Sequence, residues 1–240
     1  MSYYKIAGLN ISYRSKCDLI INRSEKYKTE KFENADICAD VSEEEIKSLL
    51  ERAPNLTEAE AEYLLIGASI YTQLINFGGF FLHSSAVSVD GEAYLFSAPC
   101  GTGKSTHTQM WQKYFGEDSA QIINDDKPAI RIIDGQAVVF GTPFSGKTSL
   151  NLNTSVPLKS ICFIERSKEN WIKPLTNAKA VVEILNQTIR PKEIEQMDKL
   201  LSMIEKVLNS IKVYKMGCNI SEQAVKLSYN TMKYGFERQT

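Results

Sequence analysis

Hydrophobic and polar positions along this chain change period several times, and the changes divide it into elements. Between Lys5 and Tyr13, and again over Cys17-Asp18-Leu19-Ile20-Ile21, apolar residues alternate weakly with polar ones. That pattern predicts short strands, forming a small subdomain or lid over residues 1–55. Ser42 with Glu45 and Thr57 with Glu60 have the spacing at which side chain and backbone satisfy each other's free donors. Helices are therefore predicted to begin near Glu43 and Glu58, the second running to Gly78. The runs His83–Val89 and Glu92–Ala98 alternate and are joined by Asp90-Gly91, a strong short-range hairpin signal. Setting Val89 opposite Glu92 places His83 opposite Ala98, and directly paired residues lie about 5 Å apart. A second Asp-Gly turn, Asp134-Gly135, folds Ala129–Ile133 onto Gln136–Gly141, which sets Lys127 opposite Thr142 and Asp126 opposite Pro143. Further on, Leu158–Ile164 reads as a buried strand and Ala178–Ile189 as a helix. The stripe Ile194, Met197, Leu200, Leu201, Ile204, Val207, Leu208, Ile211 marks a second helix with one packed face. A strand over Val213–Met216 and a helix from about Ser221 close the chain. Strands alternating with helices predict an α/β fold, with residues 56–240 as its main domain.

Between the first hairpin and the next helical run lies Ser97-Ala98-Pro99-Cys100-Gly101-Thr102-Gly103-Lys104-Ser105-Thr106. An apolar strand leads into it and Thr108–Phe115 leads out, the strand–loop–helix context of a phosphate-binding loop. Gly101 and Gly103, lacking Cβ, can turn successive amide N–H groups inward, and the helix adds the positive end of its dipole. Residues Cys100, Gly101, Thr102, Gly103, Lys104, Ser105 and Thr106 would cradle a nucleotide, with Lys104 reaching its β- and γ-phosphates. Ser105 would offer its hydroxyl to the accompanying Mg²⁺. Ala98 stands where the pattern G-x-x-x-x-G-K-[ST] has glycine. A second stretch, Gly141-Thr142-Pro143-Phe144-Ser145-Gly146-Lys147-Thr148, matches that pattern fully. The segment after it, Ser149 to Pro157, has two asparagines, no helical run and a breaker. The first loop is therefore assigned to the nucleotide, and the second is expected to bring Lys147 toward the aspartates.

Taken alone, Asn124-Asp125-Asp126 reads as a turn; beside a phosphate loop, Asp125-Asp126 at the end of the apolar run Gln121-Ile122-Ile123 reads as a metal-holding carboxylate at a strand end, as in phosphoryl-transfer sites. Successive strand residues face opposite ways, so the two acids should divide labour: Asp126 on the metal, Asp125 as base for an acceptor hydroxyl. His83, otherwise a strand-end histidine, is brought to the loop by the hairpin register. His107 is expected to cap or to face solvent, and Trp111 and Trp171 to be core or edge aromatics. Cys100 reads as an incidental thiol, although its amide-rich surroundings would favour the thiolate.

Composition removes several classes. With 28 Lys and Arg against 29 Asp and Glu, the 240-residue chain has a net charge of -1 and no basic stripe to meet nucleic acid. Its five cysteines show no paired spacing, which fits a reducing cytoplasm better than a disulfide framework. Nothing near Met1 reads as a signal peptide. Tyr63–Leu82 is uncharged and long enough to span a bilayer, but its polar residues and Gly78-Gly79 read as a buried helix, so no membrane partner is expected. The sequence leaves a homo-oligomer open.

With His83-x-Ser85-Ala86, the loop Gly101–Thr106 and Asp125-Asp126 in that order, the chain resembles the superfamily of HPr kinase/phosphorylase and ATP-dependent phosphoenolpyruvate carboxykinase over about residues 80 to 165. The resemblance implies a mixed sheet with a P-loop and flanking helices, ATP on the loop, and Mg²⁺ or Mn²⁺ beside it. It implies site roles for His83, Gly101 to Ser105, Asp125 and Asp126. Carboxykinases are much larger, which turns the expectation toward kinases, among them HPr-kinase-like enzymes that phosphorylate a peptide serine. The expected activity is transfer of the γ-phosphoryl group of ATP to a hydroxyl, with a peptide or small protein as acceptor. A small-molecule kinase on the same fold and a non-catalytic nucleotide-binding module are the alternatives.

Overall fold

A computed structural model of the protein describes residues 1–146 and 148–236. The chain opens with a hairpin of β1 (Ser2–Ile6) and β2 (Leu9–Tyr13), turned by Ala7-Gly8, to which β3 (Ile37–Cys38) adds in parallel. Cys17–Ile21, expected as strand, is instead the start of helix α1 (Asp18–Ser24). Five residues are too few to separate the two periods, and Asp18 in the first turn with Arg23 in the last complements the helix dipole. Helices α2 (Glu43–Arg52) and α3 (Glu58–Leu74) both begin at complete capping boxes, on Ser42 and Thr57. A single 3₁₀ turn extends α3 to Phe77, and left-handed Gly78 ends it. The long uncharged run is thereby split between α3 and strand β4 (Gly79–Phe81), and no described helix is long and apolar enough to cross a membrane.

Next come β5 (Ser84–Val89), β6 (Glu92–Ser97), α4 (Lys104–Phe115), β7 (Ala120–Asn124), β8 (Ala129–Ile133), β9 (Gln136–Phe140), β10 (Ser155–Arg166), β11 (Trp171–Pro174), α5 (Asn177–Leu185), α6 (Ile194–Ser210), β12 (Lys212–Cys218) and α7 (Glu222–Tyr234). Helix α5 stops four residues before the expected Ile189, and the turn after it delivers Gln187 to the carboxyl edge of the sheet. Both hairpins form in the expected register, Val89 opposite Glu92 and Ile133 opposite Gln136. Asp90 and Asp134 accept φ of 53° and 49° at their turns, a conformation in which aspartate is tolerated.

Among the described residues the main sheet runs β4-β8-β9-β10-β6-β5-β7, with β12 beside β10 and β11 on the outer edge of β12. The protein is thus an α/β protein built on a mixed, mostly antiparallel sheet. At its centre β6, β10 and β12 are parallel. Because β5 is antiparallel to β6 and β7 antiparallel to β5, the start of β5 and the ends of β6, β7, β10 and β12 fall on one edge. That carboxyl edge is where open α/β sheets bind ligands.

Side-chain alternation packs both faces. On β6, Ala93 and Leu95 enter the core beneath α5 and α6, while Tyr94 and Phe96 enter the one beneath α4 and α7. Each large apolar side chain so buried contributes about 1.5–3 kcal/mol. His107 of α4, expected at a cap or in solvent, is buried in the second core. Its ring lies 4.5 Å from that of Phe96, and its Nε2 is 3.1 Å from Ser228 Oγ on α7. Trp111, fully buried, donates to the same hydroxyl, whereas Trp171 is half-buried on the edge strand.

The N-terminal segment shares a third core with α3, in which Tyr4, Ile11, Tyr13, Ile20 and Tyr27 meet Tyr63, Ile66, Ile70 and Phe144. It also grips residues 145–152. Arg23 donates to the carbonyls of Ser145 (2.7 Å) and Gly146 (3.3 Å), Lys26 to that of Asn151, and Tyr27 to the Asn151 side chain.

Candidate functional site

At the end of β6 the chain turns through Ala98–Gly103 into α4. Gly101 and Gly103 hold φ of +77° and +121°, values that side-chain-bearing residues rarely adopt. Lys104 is the first residue of α4, so the helix points its free amides at the loop. The Lys104 ammonium is buried; it donates to the Ala98 carbonyl (3.0 Å) and lies 3.0 Å from His83 Nε2. Burial pulls the pKa of Lys104 below the ordinary lysine value, against the opposing charge of Asp126.

His83 stands just ahead of β5, opposite the end of β6, where its carbonyl accepts from Ser97 Oγ at 2.8 Å. Gln187 fixes it twice: the His83 amide donates to the Gln187 carbonyl, and Nδ1 meets Gln187 Oε1 at 2.9 Å. An amide oxygen can only accept, so Nδ1 carries a proton, and Nε2 faces the Lys104 ammonium. Nε2 is also 3.2 Å from Asp126 Oδ1. The hydroxyls of Ser85 and Thr108, 2.6 Å apart, tie β5 to α4 behind this group.

Asn124 shapes the acidic turn. Its buried side-chain oxygen accepts from the amides of Asp126 (2.9 Å) and Lys127 (2.7 Å), and its nitrogen donates to the Thr142 carbonyl. The turn sends the two acids apart. Asp126 faces His83 and Lys127, whose Nζ is 3.1 Å from Oδ2. Burial works to raise the Asp126 carboxyl, but the His83 contact and the charge of Lys127 outweigh it, leaving the pKa below the ordinary carboxylate value. Asp125 is buried and turned to the second glycine loop: Gly146 N–H donates to Oδ1 at 2.6 Å and the Thr148 hydroxyl to Oδ2.

The stretch that matches the phosphate-loop pattern letter for letter is therefore wrapped around a carboxylate of its own chain. Its glycines answer to that packing. A Cβ on Gly141 would sit 1.8 Å from the Leu152 carbonyl oxygen, and one on Gly146 would crowd Asp125 at 3.1 Å. Among the described residues no helix succeeds it before β10. Lys147, expected to approach the aspartates, lies outside the described residues.

The structure thus gathers Lys104, His83 and Asp126 at one point beside the loop. Ser105 joins them through its hydroxyl, 3.3 Å from the Asp125 carbonyl. Asp125 touches this group through its backbone, not its carboxylate. Cys100 is exposed on the loop, and Thr102 and Thr106 flank it. Two clefts meet at the loop: one of 490 Å³ running past Pro99 and Cys100 to Gln187 and Lys215, and one of 640 Å³ running past Thr106 to Asn219. Arg166, at the end of β10, lines both and donates to the outward carbonyls of Gly101 (2.6 Å) and Thr102 (3.3 Å). Gln187, Lys127 and Arg166 escaped the sequence reading, since none belongs to a motif. Only the hairpin register hinted at Lys127.

Among the described residues no three His, Cys, Asp or Glu side chains are grouped to hold a metal ion. The carboxylate of Asp126 and hydroxyl of Ser105 are hard oxygen donors, too few for an all-protein cage but suited to Mg²⁺ that takes its other ligands from phosphate and water.

By fold and site geometry this is an α/β protein with a glycine-rich strand–loop–helix element facing a histidine–aspartate pair. A family model described as "SynChlorMet cassette protein ScmC" matches residues 57–231, and the chain belongs to that family. No curated protein matches. Among solved structures, the chain is similar to one titled "Structure of the Hpr(Ser) kinase/phosphatase from Coxiella burnetii", at 14% identity and a TM-score of 0.35, over 62% of this chain and 94% of that one.

Proposed function

We propose that this protein is an ATP-dependent phosphotransferase that moves the γ-phosphoryl group to a hydroxyl, a serine of a peptide or small protein. The observation that supports it most is the meeting of Lys104, His83 and Asp126 at the helix end of a glycine loop. Loop amides and Lys104 would hold the phosphates, and Ser105 with Asp126 would hold Mg²⁺ or Mn²⁺. The cation, when bound, neutralises charge on the β- and γ-phosphates.

Transfer breaks the bond between the γ-phosphorus and the β–γ bridging oxygen, forms one from that phosphorus to the acceptor oxygen, and releases ADP. Phosphoryl transfer needs chiefly positioning and neutralised charge, so a modest base suffices for the acceptor proton. We assign that base to His83, whose Nε2 faces the site between Lys104 and Asp126 while Gln187 accepts from Nδ1–H. Asp125, with both carboxylate oxygens bonded to the second loop, is assigned to holding that loop instead. The reaction would run in the cytoplasm, where ATP is supplied.

The test is incubation of purified protein with γ-labelled ATP, Mg²⁺ and serine-containing peptides, beside a Lys104→Met variant. Label moving to peptide in the wild type only supports the reading. ATP binding without transfer to any acceptor overturns it in favour of a nucleotide-binding module.

A further inference from the structure

Reached from Asp126 through its neighbour Lys127, an apolar groove of 360 Å³ lies between α3 and the second loop. Its walls include Tyr63, Leu64, Ala68, Tyr71, Phe81 and Phe144. Both phenol hydroxyls are already committed. Tyr63 donates to the Ser145 carbonyl and Tyr71 to that of Lys127, at 3.0 and 2.7 Å. The groove therefore offers a polar ligand almost no partner, and a large apolar side chain suits it.

The charged group on its rim is Lys127, and this residue belongs to the site as well. Its ammonium is 3.1 Å from Asp126 and 5.9 Å above the Tyr63 ring. The near wall thus lies less than ~10 Å from the Asp126 carboxylate, a span of about three extended residues. An acceptor hydroxyl beside Asp126 and a side chain in the groove can belong to one short stretch of chain.

We propose that the groove seats a large apolar side chain of the Leu, Met or Phe class, within three residues of the acceptor hydroxyl of a peptide substrate, and so selects which hydroxyl is phosphorylated. The proposal rests on the phosphotransferase reading and names its substrate class. Ala68 sits exposed on the groove wall, away from the phosphate loop, so Ala68→Trp fills the groove without entering a core.

A serine-centred peptide library, randomised at three positions on each side, is presented to wild type and Ala68→Trp with γ-labelled ATP. Binding of selected peptides is measured separately by fluorescence polarisation without ATP. The expected result is a preference of about tenfold or more in kcat/KM for peptides with Leu, Met or Phe at one position over those with Ala there. Ala68→Trp should erase that preference while ATP binding stays unchanged. Transfer with no apolar preference overturns the groove proposal and spares the activity. An apolar binding preference erased by Ala68→Trp, with no transfer to any peptide, overturns the activity and spares the groove as a peptide site. A dimer that Ala68→Trp dissociates would assign the groove to a second copy and overturn the proposal.

Discussion

The ammonium of Lys104 and the imidazole of His83 lie 3.0 Å apart, two basic groups in contact at the mouth of a glycine loop. The contact is stable because each basic group has a reason not to repel the other. Gln187 accepts the Nδ1 proton of His83, and Asp126 supplies negative charge to both basic groups.

On this geometry the two residues should fail differently when replaced. Lys104→Met is expected to lower transfer by about three orders of magnitude and to weaken ATP binding. His83→Asn should lower kcat by roughly 10²–10⁴ with little change in KM for ATP, the range for loss of a positioned base. Single-turnover kinetics with labelled ATP and separate nucleotide titration read both. An unchanged kcat for His83→Asn would return the base role to an aspartate.

The aspartates should separate in the same way. Asp125→Asn leaves the Gly146 amide and the Thr148 hydroxyl competing for one good acceptor, and bonds to a charged group are worth about 1.5–3 kcal/mol. A fall in Tm of several degrees is expected, with a smaller loss of kcat. Asp126→Asn should do the reverse, keeping Tm within a few degrees while transfer collapses. Thermal melts of both variants at pH 7 check the contrast.

How much of this was legible in the sequence depended on range. The capping boxes at Ser42 and Thr57, and the Asp-Gly turns at Asp90 and Asp134, are satisfied by residues two or three positions away, so spacing alone predicted them. The register of those turns then brought His83 to the loop and Lys127 to Thr142. Where partners come from far along the chain, the reading failed. His107 is buried by Ser228 from α7, and Gln187, which holds the His83 tautomer, comes after a helix that ends earlier than its pattern implied. The second loop matched a phosphate pattern because a carboxylate and a phosphate ask for the same donors, and the non-helical stretch after it was the sequence signal that set it aside.

His107 gives a pH signature of folding. Ser228 Oγ donates to the Ala224 carbonyl, so His107 Nε2 must be the donor to it, and the ring is buried neutral. Burial pushes its pKa down to about 4. Since an unfolded histidine titrates near ~6.5, the unfolded chain binds the extra proton between those values. Stability should therefore fall as pH drops from ~6.5 toward 4, by on the order of 3 kcal/mol, and this contribution should level off at lower pH. Urea denaturation at pH 7 and 4.5, monitored by Trp fluorescence, should show a shallower loss in His107→Gln than in the wild type.

Arg166 grips the loop from outside. Its forked guanidinium takes the carbonyls whose own amides would face phosphate, so Arg166→Ala is expected to raise KM for ATP about tenfold with kcat less affected. The side chain is exposed, and stability should change by no more than about 0.5 kcal/mol. Arg166→Lys should recover little, since an ammonium cannot span two carbonyls with one rigid plane. ATP titrations of initial rate decide it.

The family match begins at residue 57, yet Arg23, Lys26 and Tyr27 moor the loop that clothes Asp125, and Ile11, Ile20 and their neighbours keep α3 dry. An expression fragment trimmed to the matched span would expose Tyr63, Ile66 and Ile70 to water and cut that loop adrift. The first forty residues are in this sense an internal brace for the acidic turn, and expression fragments of this chain should be cut to include them.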